Sequence, residues 1–364
     1  MEETWESLFI KQAKQKRHSQ SYIDECLKYA NRLHSQNLPV IFDLMHLAQY
    51  LEMSSSNLDY IISNSDRMYR SFDLEKGNSR GKRHINAPFP TLKAIQQWIN
   101  VFILCRDTNI HKCCQAFMPQ DLLGKRDILT NAKPHVGCLW LLNMDLKDFF
   151  PNIKFQQVFS YFFSLGYEED VARALSNLCC RDYRLPQGAP SSPMLANHIA
   201  KDMDDCIQAY CDTEGYSYTR YADDITISGK QDVNVRLLIK DIEAMIYIND
   251  FVVNRKKTKF RRRGNRQTVT GLTINNGVHV PKSYRKDILK ELHCCQKFGS
   301  SAHIRYRNEE RRKALESNGV KAVDIRDLGF YRQWLLGRIM YVRSIEPTTG
   351  KKMLDEYNKI SWIL

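Results

Sequence analysis

At 364 residues, with 43% hydrophobic and 26% charged side chains, the chain can bury a sizeable core in two or three subdomains and is too apolar for disorder. A net charge of +13 and a sequence pI near 9.1 suit a phosphate-dense partner, although charge alone serves solubility equally well. No apolar run approaches the roughly 20 residues of a membrane span, and the N-terminus lacks a signal-peptide pattern. The cysteine pairs Cys113–Cys114, Cys179–Cys180 and Cys294–Cys295 have no metal-ligand spacing, so the expectation is a reducing cytoplasm without membrane contact or disulfides.

Residues 1 to about 65 are predicted helical, with Ile23, Leu27, Ala30 and Leu33 at three- and four-residue spacing and an N-cap among Ser54, Ser55 and Ser56. Two strands follow, Met68 to Glu75 and Lys82 to Pro88, joined by a glycine-containing turn into a hairpin with basic residues near its tip. Helical periodicity runs from Leu92 to Cys105. The apolar run Trp140 to Asp145 has strand length and ends in a carboxylate. After a helical stretch from Phe155 to Cys180, prolines and a glycine dictate a loop over Leu185 to Pro193, and a helix is predicted from about Met194 to Tyr210. Tyr216 to Tyr221 and Ile225 to Ser228 alternate with period two around Ala222-Asp223-Asp224, which predicts a hairpin with acids at its tip. Beyond Pro281 the chain is helical and basic.

Asp145 at a strand end and Asp223 and Asp224 on a hairpin form a donor set that suits two magnesium ions about 4 Å apart, the arrangement used for in-line phosphoryl transfer. Adjacent strand residues face opposite ways, so the tip must bend or Asp224 must contribute less directly. Taken alone, Asp-Asp in a turn is a solvated turn.

Three segments change that balance together. Asn143-Met-Asp145-Leu-Lys-Asp-Phe-Phe150, Leu185-Pro-Gln-Gly-Ala-Pro-Ser-Ser-Pro193 with Ala196-Asn197, and Tyr221-Ala-Asp-Asp224 resemble, in order and spacing, the palm motifs of reverse transcriptases. The likeness covers roughly residues 67 to 275. It implies an α+β right-hand polymerase: a helical extension over 1–66, fingers over 67–130 with part of 155–200, a palm of antiparallel sheet and helices over 131–280, and a helical, RNA-binding thumb over 281–364. It also implies RNA-templated DNA synthesis from deoxynucleoside triphosphates with two magnesium ions, or manganese as a substitute, held by Asp145, Asp223 and Asp224.

The same resemblance makes Phe150 the steric gate against a ribose 2′-hydroxyl, where its alternative is a core aromatic. Gln187 would contact the incoming nucleotide rather than only form a turn. Lys82 and Arg83 would grip the triphosphate rather than solvate the hairpin, and Lys257 would protonate departing pyrophosphate rather than contact backbone phosphate. Asn131-Ala-Lys-Pro-His135 and Val269-Thr270-Gly271 are similar to the paired insertions of bacterial retron reverse transcriptases. The segment Trp334-Leu-Leu-Gly337 with Ser344 to Pro347 resembles the retron thumb.

A retron enzyme implies priming from a 2′-hydroxyl of its own noncoding RNA, a branched RNA-linked DNA product, and anti-phage defence with an effector encoded nearby. From Asn254 to Arg266 eight of thirteen residues are basic. Arg261, Arg262 and Arg263 there, Arg305, Arg307, Arg311 and Arg312 around Tyr306, and the Asn131–His135 and Val269–Gly271 insertions are the expected RNA-holding surface, with a solvated helical face as the alternative for residues 305–313. Two other readings are another bacterial reverse transcriptase, of group II intron, diversity-generating or abortive-infection type, and a catalytically idle RNA scaffold.

Overall fold

The computed structural model describes residues 4–75, 81–119, 124–316 and 328–362, with side chains of 311–316 outside that description. The chain packs as two compact units: Met1–Asp127 with Leu142–Phe260, and Ile128–Leu141 with Arg261–Leu364.

The first unit opens with helices Trp5–Gln15, Gln20–Ser35, Leu44–Tyr50 and Ser55–Ser63. Ser19, Asp43 and Ser54 cap three of them by accepting from the backbone N–H groups of Tyr22, His46 and Asn57. Ile23, Ala30 and Leu33 are buried, as their spacing predicts, and Leu27 is half-buried. These helices belong to the unit's own core. Gln36 Nε2 donates to Leu165 O at 3.1 Å, Tyr167 Oη to Pro39 O at 3.1 Å, and Arg32 to Gly166 O.

Strands β1 (Tyr69–Glu75) and β2 (Lys82–Pro88) pair antiparallel from Tyr69↔Pro88 to Glu75↔Lys82, while the turn expected between them lies outside the described residues. Helix Pro90–Ile99 runs on into a π-helical turn over Asn100–Leu104. Strands β3 (Trp140–Asp145), β4 (Ser217–Tyr221), β5 (Asp224–Gly229) and β6 (Lys259–Arg262) form one sheet in the order β4-β5-β3-β6. The helical stretch expected over 155–180 is two helices, Phe155–Ser164 and Glu169–Cys179, separated at Gly166, whose φ of +102° no L side chain favours. The helix predicted from Met194 starts earlier and also divides, into Ser192–Ile199 and Lys201–Glu214.

The second unit pairs β7 (Thr268–Val269) with β8 (Leu272–Thr273) and continues through helices Lys282–Phe298, Ser300–Glu316, Leu328–Ile345 and Pro347–Asn358. Its core joins Ala132, Leu141, Val269 and Leu272 to Leu292, Leu335, Ile339 and Tyr357. A charged group is set into it. Glu291 accepts from Tyr331 Oη at 2.6 Å, and its carboxylate lies 2.7 Å from His303 Nε2 and 3.2 Å from Arg307 Nη2. Burial acts to raise the Glu291 pKa, and the hydrogen bonds of Tyr331 and His303 overcome it and hold the carboxyl below its ordinary range. No described helix is long and apolar enough to cross a membrane.

Candidate active site

The three acids meet in the first unit. Asp145 ends β3 and is 6% exposed, and the next residue, Leu146, donates its N–H to Asp223 O at 2.9 Å, fixing one acid-bearing segment against the other. Tyr221 and Asp224 face each other in register, so Ala222 and Asp223 form a two-residue turn. Ala222 has φ +56°, and this left-handed residue supplies the bend that two adjacent acids on a strand require. Burial, then the charge of Asp145, raises the Asp223 pKa, while Lys257 and Arg83 pull it down. Burial, then Asp223 and Asp145, pushes the Asp224 carboxyl up to about 6 even though the residue has an exposed side.

Lys257 Nζ lies 2.6 Å from Asp145 Oδ1, and Asn254 Nδ2 donates to Asp145 Oδ2 at 3.2 Å. The backbone N–H of Asn254 also donates to Asp145 O at 2.7 Å, which sets Asn254 and Lys257 beside the strand end. Hydrogen bonding to Asp145 raises the Lys257 pKa, so its ammonium is firmly charged.

No cluster of three acid, imidazole or thiol groups among the described residues forms a closed metal cage. The chemistry of the donor set still fits hard divalent ions: it is oxygen-only, its acids repel one another, and magnesium ordinarily takes only one or two protein carboxylates.

Phe150 sits half-buried in helix Phe149–Asn152, with ring centroids 5.5 Å from Phe149 and 6.4 Å from Phe117. The Pro-Gln-Gly loop touches the hairpin, because Asn86 N donates to Gln187 O at 2.8 Å. Gly188, at φ +123°, allows that approach, since a Cβ there would stand 2.9 Å from Asn86 O. Arg83 is near enough to act on Asp223, whereas Lys82 Nζ lies 3.9 Å from Asp73 Oδ2. Successive strand residues alternate faces, so the two basic residues do not point the same way.

Comparison with known proteins decides the family. The family model "Reverse transcriptase (RNA-dependent DNA polymerase)" matches residues 70–294. Retron Ec86 reverse transcriptase of Escherichia coli is 35% identical over 278 residues, 75% of this chain and 85% of that protein. The chain belongs to the retron reverse transcriptases. Retron Mx65 reverse transcriptase of Myxococcus xanthus is 35% identical over 62% of this chain and 56% of its own length. Retron Ec73 reverse transcriptase of Escherichia coli is 29% identical over 81% and 89%.

The Asp223–Asp224 turn of this retron reverse transcriptase has a support that pattern reading misses. Arg220, fully buried, donates through Nε and Nη2 to Asp204 at 2.8 and 2.7 Å, and through Nη1 to Ala222 O at 3.0 Å and Asn197 Oδ1 at 3.3 Å. Tyr218 Oη donates to Asp204 at 2.7 Å. The guanidinium thus joins the Asp223–Asp224 turn to helices Ser192–Ile199 and Lys201–Glu214. One signal was readable: Asp204 lies on the apolar stripe of Met203, Ile207 and Cys211, and a charge on a buried helix face needs a partner.

The retron-type insertions meet in the second unit. Asn131 Nδ2 lies 3.5 Å from Thr270 Oγ1, and Thr270 Oγ1 donates to Ile128 O at 3.4 Å. Asn131, His135 and Val269 are fully buried, so their side chains do not lie on the exposed surface expected to hold RNA, and it is Asn131 with Thr270 that joins the two insertions. Thr270, half-buried at φ +44°, and exposed Gly271, at φ +83°, keep an outward aspect. Arg262, Arg263 and Arg305 are exposed and Arg261 is half-buried. Arg307 is engaged by Glu291, and the side chains of Arg311 and Arg312 lie outside the described ones.

Proposed function

We propose that this reverse transcriptase extends DNA from a 2′-hydroxyl of its own noncoding RNA, giving a branched RNA-linked DNA, through a site built on Asp145, Asp223 and Asp224. The observation that carries the site assignment is the single cluster of these acids with Lys257, tied by the Leu146–Asp223 hydrogen bond of 2.9 Å. Two divalent ions, magnesium or manganese, would supply activation of the attacking hydroxyl and neutralisation of the pyrophosphate.

The chain's own groups do the rest. Asp145, Asp223 and Asp224 gather negative charge where the reacting phosphate passes, and Lys257, cationic beside Asp145, is placed to give a proton to departing pyrophosphate. Phe150 presses on the sugar and excludes a 2′-hydroxyl. Gln187 contacts the incoming nucleotide, with Arg83 and, less directly, Lys82 toward its phosphates.

In the right-hand reading, β1–β2 belongs to the fingers, the four-stranded sheet to the palm, and the helices from Lys282 onward to the thumb. Thr270, Gly271, Arg261, Arg262, Arg263, Arg305, Arg307, Arg311 and Arg312 form the RNA-holding set. Defence against phage with an effector completes the proposal, and the N-terminal helices offer the effector a surface at Met45 and Tyr60, exposed by 61% and 66%. Deleting residues 1–45 would remove buried Ile23 and Leu33, so Met45→Glu with Tyr60→Ala is the cleaner test: unchanged effector association would reject that surface.

The central experiment incubates the purified enzyme with its noncoding RNA, deoxynucleotides and magnesium. Branched RNA-linked DNA is expected, and none from Asp223→Asn with Asp224→Asn. Synthesis that survives the double substitution rejects the acid assignment, and a linear product that resists debranching rejects 2′-priming.

A further inference from the structure

The four residues before Leu185 form a tight turn with an unusual occupant. Arg181 and Arg184 exchange both backbone hydrogen bonds, at 2.8 and 2.9 Å, and the two residues between them, Asp182 and Tyr183, have φ +50° and +58°. Two consecutive left-handed residues make the mirror-image hairpin turn whose usual sequences are Asn-Gly and Asp-Gly. Asp182 suits its place. Tyr183 stands where glycine is the rule, and an L side chain there is strained.

Everything around that ring is anchored. The Arg181 guanidinium bonds Ser71 Oγ and Asn86 Oδ1 at 2.6 and 2.5 Å, and Asp182 N donates to Asp66 Oδ1 at 2.8 Å. Tyr183 O accepts from Phe155 N at 2.9 Å, Arg184 Nη1 donates to Pro151 O at 2.9 Å, and Leu185 N donates to Ile153 O at 3.0 Å. The turn therefore ties together β1–β2, the Phe150 helix and the Pro-Gln-Gly loop. Tyr183 is 76% exposed, and among the described residues its ring meets that of Phe155 edge-on, with centroids 6.1 Å apart. Neither burial nor a hydrogen bond of its hydroxyl among the described residues offsets the strain.

We propose that Tyr183 is a stacking platform for an unpaired base of the RNA template as it approaches the nucleotide-contacting loop. This rests on the polymerase reading of that loop. A single strand is held by an aromatic face with cations close by, and stacking tolerates any base, as a template contact must. Arg184, the next residue in the chain, and Lys154, its backbone-bridge partner, bring two cations to the same turn. The turn has no hydrogen bond to Asp145, Asp223 or Lys257, whose surroundings serve the primer end and the triphosphate. Its attachments are to the hairpin and to Phe150's helix, where an incoming strand that is not yet paired would pass.

The probe is a DNA primer on an RNA template with a 5′ overhang, its first unpaired base 2-aminopurine, and binding is measured without nucleotides. Tyr183→Ala and Tyr183→Gly are expected to weaken overhang binding about five- to fiftyfold and to abolish the 2-aminopurine response, while Tyr183→Phe preserves both. Affinity for the blunt RNA–DNA duplex stays constant, and Tyr183→Gly raises the melting temperature by relieving the turn. Unchanged overhang binding in Tyr183→Ala, an equal loss on blunt and overhanging duplexes, or no melting gain in Tyr183→Gly overturns the proposal. Failure of the wild type to extend the same primer would count against the polymerase reading alone.

Discussion

Asp204 and Arg220 brace the candidate site from behind with a pair of buried charges. Both side chains are completely buried, and removing one leaves the other uncompensated in a dry interior. Arg220→Met is expected to cost about 3–5 kcal/mol of stability, read as a lowered urea midpoint, and Arg220→Lys to fare badly because an ammonium cannot reproduce the fork. Arg220→Met with Asp204→Leu should recover much of the stability, yet synthesis should stay low, because Ala222 O has lost its donor. Full recovery of both would make the pair a packing element only. The acids were legible in the sequence because motif order picks them out of many turns. Arg220 was not, since one arginine beside a tyrosine reads as surface until its depth is known.

The elements that carry strong local rules were also legible. An apolar run ending in Asp145 is β3, and the period-two segments around Ala222 are β4 and β5. What escaped was decided by packing. The helix expected over Leu92–Cys105 turns π-helical at Asn100, where no proline or glycine warns of it. The contact between Gln187 and Asn86 joins segments about a hundred residues apart. It yields a prediction at the same scale: Gly188→Ala would drive a Cβ against Asn86 O and impose φ +123° on an L residue. We expect a cost of about 1–3 kcal/mol from that conformation and a raised KM for deoxynucleotides, measured in steady-state kinetics beside thermal melting. An unchanged KM would separate the hairpin from nucleotide binding.

Across the whole molecule, the division into two units was the least readable feature, because Ile128–Leu141 joins a unit otherwise made of residues after Phe260. Polar Asn131 and His135 read as contacts for RNA, and only the fold shows them buried. Burial lowers the His135 pKa from 6.5 to about 3, so the native protein holds this ring neutral while the unfolded chain protonates it. Stability is therefore present above about pH 6.5 and falls as pH drops toward 3, by about 1.4 kcal/mol per pH unit from this residue. Unfolding free energies from urea titrations at pH 6 and 5 should differ by about that amount more in the wild type than in His135→Gln, and equal differences would refute the assignment.

The interleaving has a consequence for how the protein is made. Leu141 packs in the same core as Leu335 and Tyr357, which leave the ribosome much later. At about 5–20 residues per second the wait between them is on the order of 10–40 s. Until then the core that takes up Ala132, Cys138 and Leu141 lacks the helices that complete it. The nascent chain thus carries an incompletely covered apolar segment until helix Pro347–Asn358 is made, and a stop before that helix leaves the core open to chaperones and proteases.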